Sequence, residues 1–419
     1  MEPQTVSTPP TEPVASTRTS PLRTAFKVLG YILLVVIIAA GYLWFFEQPH
    51  HSSPTAKPGE VATTDDARMD AIRRGVEFIK VHQESDGEFS RGLLDPKPGF
   101  TALVVDALAR SPDKYREKEN PFLEKSAKAI LSHQQPNGAI STPAFGLDTY
   151  TTACSIMALS ALENPAYAGA IEKAKQYLLS VQYRDDEENA NAGGPGYNVG
   201  GRTSGDLAAN WVEALKEAGV KEGDPAFENA KKFLSRLQNN SETNNKPAPG
   251  TEIADDGGFF YRQGESKAAD EIGRKGLRVT KSYGLMSYAG LKSFLYLKVG
   301  KDDPRIAGAW RWVKDNYTLE ENKNIGADGL YYYYLTMAKA LAEYGDAEIV
   351  TADGVKHVWA KELSDKLISL QRKDGAWRNA SSSRWKEDDP VMVTAFAIRT
   401  LTICHEFTKQ KSATAPTLK

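Results

Sequence analysis

The residues of this chain that could do acid–base work stand at a few marked places. Asp148 opens the stretch DTYTTA, and Asp388 and Asp389 sit side by side in RWKEDDPV. A carboxyl donates a proton only as its surroundings set its strength, and two carboxylates together can divide the roles of acid and base. Each also has a plain structural reading. Asp is favoured at a helix N-cap, which suits Asp148, and Asp389 before Pro390 reads as a helix start with proline in the first turn. Aromatic residues form the second group. GLYYYYL sets Tyr331 to Tyr334 in a row. On a helix these point in directions about 100° apart, so only some can share a lumen, and Tyr332 and Tyr334 are the two expected there. With Tyr150, Tyr283, Trp385 and His357 they make the candidate lining of a central cavity.

Other chemistries find little support. The histidines beyond the N-terminal region, His82, His133, His357 and His405, show no ligand spacing, and GGPGYNVGG lacks the Lys-Ser/Thr of a phosphate-binding loop. Cys154 and Cys404 each lie in an apolar run and read as buried thiols. No metal and no cofactor is expected. The 419 residues carry a formal net charge of -2, which gives no reason to expect a nucleic-acid partner.

The elements that must position these residues are repeated. FIKVHQESDGEF, AILSHQQPNGAI and LISLQRKDGAW share one pattern: a helix tail, a glutamine, a glycine four residues on, one further residue, then a bulky apolar one. The glutamine can bond backbone groups left unpaired at a helix end, and Asp-Gly or Asn-Gly supplies the positive φ that reverses the chain. Before each glutamine lies an amphipathic segment, as in AIRRGVEFIK, where Ile72, Val76 and Ile79 share one face. After each comes a segment apolar nearly all round, as in DPVMVTAFAIRTLTI, which must be buried on every side. Six such pairs are counted, with outer helices starting near Ala71, Ser126, Ile171, Phe227, Arg305 and Leu363. Buried inner helices wrapped by outer ones describe a ring. The last inner helix is too apolar to cap an open array, which favours closure. Closure makes a sharp expectation: Asp106 and Arg399, each five residues past a Thr-Ala step in the first and last inner helices, should meet. Insertions at 184–206 and 239–281 fall on the rim where inner helices begin and should wall the cavity mouth. The only strand signal is a short hairpin around GGFFYRQ.

Outside the ring, residues 1–25 read as a disordered tail, 26–46 as a transmembrane helix, 47–66 as a linker and 409–419 as a tail, leaving 67–408 for the toroid. Val28 to Phe46 carries no charge and is long enough to span a bilayer. Arg18, Arg23 and Lys27 precede it and Glu47 follows, which predicts a cytoplasmic N-terminus and a periplasmic or extracellular ring.

The glutamine–glycine–aromatic pattern resembles the QW repeat of squalene and oxidosqualene cyclases and the helical repeat of protein prenyltransferase beta subunits. KSYGLMSYAGLKSFLYL, DGLYYYYLTMAKAL and ADGVKHVW are similar to stretches of bacterial exported proteins that carry prenyltransferase and squalene oxidase repeats. The resemblance, over residues 68 to 407, implies an all-α (α/α)6 toroid and an isoprenoid or other lipid as ligand. It also sets a test. The cyclase acid lies in D-x-D-D-T-A; here Asp148, Thr152 and Ala153 fit that frame, while Tyr150 and Thr151 replace the two inner aspartates. The prenyltransferase zinc motif D-x-Y-H meets Thr151 in its histidine slot. Three readings remain open: a lipid-binding or lipid-converting protein, a non-catalytic cell-envelope interaction module, and a glycan-active (α/α)6 enzyme with rim carboxylates.

Overall fold

The computed structural model describes residues 64–414, apart from 90–94, 185–188 and 245. The expected membrane helix lies outside the described residues, as do the N-terminal tail and nearly all of the linker. Among the described residues no helix is long and apolar enough to cross a membrane.

The described chain alternates outer and inner helices. The outer set is α1 (Thr64–Lys80), α3 (Pro121–Ser132), α5 (Ala168–Ser180), α7 (Pro225–Ser235), α9 (Pro304–Asn316) and α11 (Trp359–Leu370). The inner set is α2 (Lys97–Arg110), α4 (Asp148–Ala161), α6 (Gly205–Glu217), α8 (Gly284–Tyr296), α10 (Leu330–Tyr344) and α12 (Pro390–Thr414). Each inner helix packs on the next, and α12 packs back on α2. The ring is closed. Its ends differ slightly from expectation: α1 begins at Thr64, inside the expected linker, and α12 continues through Thr414, past the expected limit of 408. The strands are also elsewhere. β1 (Thr251–Glu252) runs parallel to β3 (Arg278–Val279), which pairs antiparallel with β2 (Glu271–Ile272). A second hairpin joins β4 (Ile349–Val350) to β5 (Lys356–His357). GGFFYRQ makes two isolated antiparallel bridges, Phe259 with Gln238 and Arg262 with Glu265, the second closing a tight two-residue turn.

Local sequence sets several helix starts. Asp224, Asp303 and Asp389 each precede a proline and accept a hydrogen bond from the first free amide, at 2.9, 2.9 and 2.8 Å. The proline's missing N–H costs nothing at that position, and its fixed φ already suits the helix.

The glutamine does more than cap its own helix. The amide of Gln83 donates to the carbonyl of Phe122 at 2.8 Å, Gln134 to Ala170 at 2.9 Å, and Gln371 to Ala71 at 2.9 Å. Phe122 and Ala170 lie in the first turn of the following outer helix, and Ala71 lies midway along α1. The same amide also holds the turn glycine carbonyl, at 3.2, 3.4 and 2.8 Å. Two units without the glutamine-to-glycine spacing keep the same contact: Gln182 reaches Ala226 at 2.8 Å and Gln238 reaches Arg305 at 2.8 Å. The glycine is fixed by contact as well as by φ. At Gly375, φ is 86° and a Cβ would come within 2.5 Å of the Arg74 carbonyl. The bulky residue that follows is tied inward: the Trp377 amide donates to Thr394 Oγ1 at 3.0 Å and its indole N–H to the Leu367 carbonyl at 2.7 Å.

Gln371 therefore links the last unit to the first, and Gln371→Ala removes two partly buried hydrogen bonds at the seam. The expected loss is about 1–3 kcal/mol. An unchanged midpoint in chemical denaturation would mean that the seam holds without it.

Candidate functional site

The lumen is built from stripes. On α6, Asp206, Asn210, Glu213 and Glu217 recur at helical spacing, so they share one face. On α10 the stripe is Tyr332, Leu335 and Lys339; on α12, Met392, Phe396 and Arg399; on α2, Leu103 and Asp106. Read from the rim downward, these stripes pass from aromatic to ionic.

The upper part is a cavity of about 400 Å³ with rings on every side, among them Phe100, Tyr150, Tyr197, Tyr261, Tyr283 and Phe396. Trp385 stands at its mouth, 43% exposed, against Gly329, where a Cβ would come within 2.8 Å of the indole. Both expected insertions contribute. The first supplies Tyr197, held by the Thr149 amide, which donates to its carbonyl at 2.9 Å. The second supplies Tyr261 and Lys267, whose ammonium lies 3.9 Å from the Tyr261 ring centre.

One carboxyl of this wall has a relay of hydroxyls behind it. Ser204 caps α6 and donates to Asp206 Oδ1 at 2.5 Å, the Tyr197 hydroxyl lies 3.1 Å from Ser204 Oγ, and the Tyr261 hydroxyl lies 3.2 Å from that of Tyr197. Burial raises the Asp206 carboxyl above the usual carboxylate range, against the pull of the Ser204 hydroxyl. Burial, with the charge of Asp206 behind it, also pushes up Tyr197, Tyr283 and Tyr332. A second carboxyl on the wall, Glu387, is structural. Helix α10 has no side-chain cap of its own. Glu387 accepts from the amides of Tyr331 and Tyr332 at 3.2 and 2.8 Å and from Asn379 at 2.8 Å.

Beneath the aromatic rings the lumen turns ionic. Lys292 and Lys339 each lie 2.7 Å from Glu213. Asp106 lies 2.6 Å from Arg110 and 3.4 Å from Arg399. The expected meeting of Asp106 and Arg399 across the seam is therefore present.

A variant of the type II terpene cyclase MstE from Scytonema superposes with a TM-score of 0.52 at 12% identity, over 82% of this chain and 99% of that one. Another MstE variant, in complex with geranylgeranyl dihydroxybenzoate as substrate, gives 0.51 at 14% identity over 82% and 99%. The chain shares its fold with type II terpene cyclases. A family 76 glycoside hydrolase from Bacteroides thetaiotaomicron is also similar, with a TM-score of 0.48 at 10% identity over 82% and 78%. Neither a protein-family profile nor a curated protein sequence matches the chain.

Within the terpene cyclase fold, the residues expected from the sequence divide. Tyr150, Tyr283, Tyr332 and Trp385 line the cavity. Tyr334 does not; it lies two positions from Tyr332, turned outward, with its hydroxyl donating to the Leu319 carbonyl at 2.5 Å. His357 is in β5, where Nδ1 lies 3.0 Å from Glu362 and the ring packs on Tyr317. Asp148 is neither an N-cap, a place taken by Leu147, nor part of the cavity wall. Its Oδ1 is buried with no hydrogen-bond partner among the described residues. Asp389 caps α12 and Asp388 lies off the wall, so they form no acid–base pair there. The sequence reading missed Asp206, although the polar stripe of α6, in a helix otherwise destined for the core, was there to be read. Both cysteines are free and buried. Among the described residues no cluster of three or more His, Cys, Asp or Glu could hold a metal ion.

Two of the lumen carboxyls, Glu213 and Asp206, respond oppositely to pH. Burial would raise Glu213, but Lys292 and Lys339 outweigh it and hold it well below the usual range. Its stabilisation is present above the unfolded carboxyl pKa of about 4.3 and is lost as pH falls through the lower folded value. The raised Asp206 stabilises below its unfolded pKa of about 3.9, and that contribution is lost as pH rises through the folded value. Near neutral pH, Glu213→Gln is expected to cost about 3–5 kcal/mol, because two buried ammonium groups lose their partner. Asp206→Asn should leave the melting temperature unchanged or raise it, with the difference vanishing below about pH 4. Melting curves across that range read both; a clear drop for Asp206→Asn at neutral pH would mean that its charge is well paired.

Proposed function

We propose that this protein binds an isoprenoid or similarly apolar chain within its ring. The observation that carries the reading is the cavity of about 400 Å³, walled by aromatic rings and opening at the rim. That volume lies within the range of sites that enclose a small ligand, and aromatic walls release much hydrophobic free energy when covered. The substrate bound by the MstE variant is a prenylated molecule, which agrees with this choice.

The chemistry of the site supports binding over protonation-initiated cyclisation. Protonating an alkene demands an unusually strong carboxylic acid. The cavity carboxyls are Asp206 and Glu387, and burial makes both weaker acids than usual. Glu387, moreover, is spent on the first turn of α10. The D-x-D-D-T-A frame offers Tyr150 and Thr151 where its inner aspartates would stand. We further propose, from the apolar run and its flanking charges alone, that residues 26–46 anchor the ring outside the cytoplasm. Protease added to spheroplasts should then digest the ring.

Organic extraction of the purified full chain, followed by mass spectrometry, is expected to release an apolar chain lipid in near-stoichiometric amount. Leu103→Trp, which fills the cavity from α2, should lower that yield about tenfold. Incubation with squalene should give no cyclic product. Equal lipid yield from the wild type and Leu103→Trp would overturn the cavity as the binding site, and squalene turnover would overturn the preference for binding.

A further inference from the structure

A second, smaller cavity of about 30 Å³ lies directly below the aromatic one, and the two share Leu103, Tyr150, Tyr332 and Phe396. These four side chains line the junction at which the two cavities meet. The lower one is lined by Asp106, Lys339 and Arg399, with Asn210 at its side. Its ionic surroundings are unbalanced. Arg110 and Arg399 share Asp106, with Glu217 against Arg110, and Lys292 and Lys339 share the single carboxylate of Glu213. Glu213 is taken by the two lysines. Asp106 gives its hydrogen bond to Arg110 at 2.6 Å, while Arg399 approaches at 3.4 Å without one. Nε and Nη1 of Arg399 are both buried with no hydrogen-bond acceptor among the described residues. A buried guanidinium with unmet donors is costly, and so is an uncompensated positive charge away from water.

We propose that this well is an anion subsite for the carboxylate end of a chain-like ligand whose apolar length fills the aromatic cavity above. The proposal rests on the reading of the upper cavity given above and adds to it the ligand's head group and direction. Size selects the anion. About 30 Å³ is close to the room of one water molecule. It suits a small head group such as a carboxylate. Charge selects it again, because Lys292 and Lys339 share one carboxylate, and the planar guanidinium of Arg399, with donors unmet, matches carboxylate geometry. Asn210 marks the junction: its amide donates to the Tyr332 hydroxyl at 2.8 Å, fixing the ring that separates the aromatic zone from the ionic one. The ligand class is thus a prenyl or acyl carboxylic acid, bound acid end inward.

Equilibrium dialysis of the full chain with farnesoic acid and with farnesol tests this, since the two differ only in the head group. Farnesoic acid is expected to bind about tenfold more tightly or better, as a charge-assisted hydrogen bond would give. That advantage should disappear in Arg399→Gln. Lys339→Gln, which keeps Glu213 paired with Lys292, should reduce it and serves as the arm that decides if Arg399→Gln does not fold. Equal affinities in the wild type overturn the subsite and leave the aromatic cavity standing. An acid preference kept in whichever of the two variants fold places the head group elsewhere and also overturns it. If neither compound binds, the subsite and the upper-cavity reading fall together.

Discussion

A glutamine amide that bridges a turn carbonyl and a carbonyl of the next outer helix is the contact on which the ring depends. One N–H₂ group, with two donors in one plane, meets both demands at once. It can do so only because the turn glycine lets the following helix approach to a distance that any Cβ would block. At Gly138 that Cβ would stand 2.3 Å from the Lys173 carbonyl. Five glutamines, Gln83, Gln134, Gln182, Gln238 and Gln371, make the inter-helix contact. Between α9 and α11 the contact is replaced by the Tyr317 hydroxyl, 3.3 Å from Glu362, and by Lys366 with Glu320. Closure follows from repetition of one step: the last glutamine finds the first outer helix, 300 positions away in sequence.

Closure then decides what the lumen can hold. Each inner helix offers one face to the axis. The faces are aromatic where the insertions stand and ionic farther down. Burying so many charges is a poor way to gain stability, since desolvation offsets most of the attraction. The ionic layer is better understood by what it places below the aromatic one: a polar, positively biased floor under an apolar chamber. Burial and charge act on the neighbouring groups accordingly. Burial alone would raise Asp106, yet Arg110, Arg399 and Lys339 hold it below the usual range. Burial also pushes the Cys154 thiol up to about 12, which makes it a packing residue rather than a nucleophile.

Much of this was written in the order of residues. The repeat, the alternation of amphipathic and all-apolar helices, the rim position of both insertions and the pairing of Asp106 with Arg399 follow from spacing. A helix imposes a fixed angular step, and a ring makes its first and last members neighbours. The same step could have separated Tyr332 from Tyr334, about 200° apart on one helix. It could also have picked out Asp206 at the head of the polar stripe on α6. What spacing alone leaves undetermined is the rotation of each helix about its own axis. Nothing local to GLYYYYL states which tyrosine faces inward. Glu387, more than fifty residues away, fixes the first amides of α10, and the neighbouring helices choose the face. His357 misleads for the same reason, since it looks available in sequence and is turned to Glu362 on the outer layer. The sequence by itself determined the ring, its closure and its two-layered composition, because those depend on periodicity and on short-range turn chemistry. Only the tertiary structure decided which side chains meet across the lumen and how strongly each holds its proton, because both depend on distances between residues far apart along the chain.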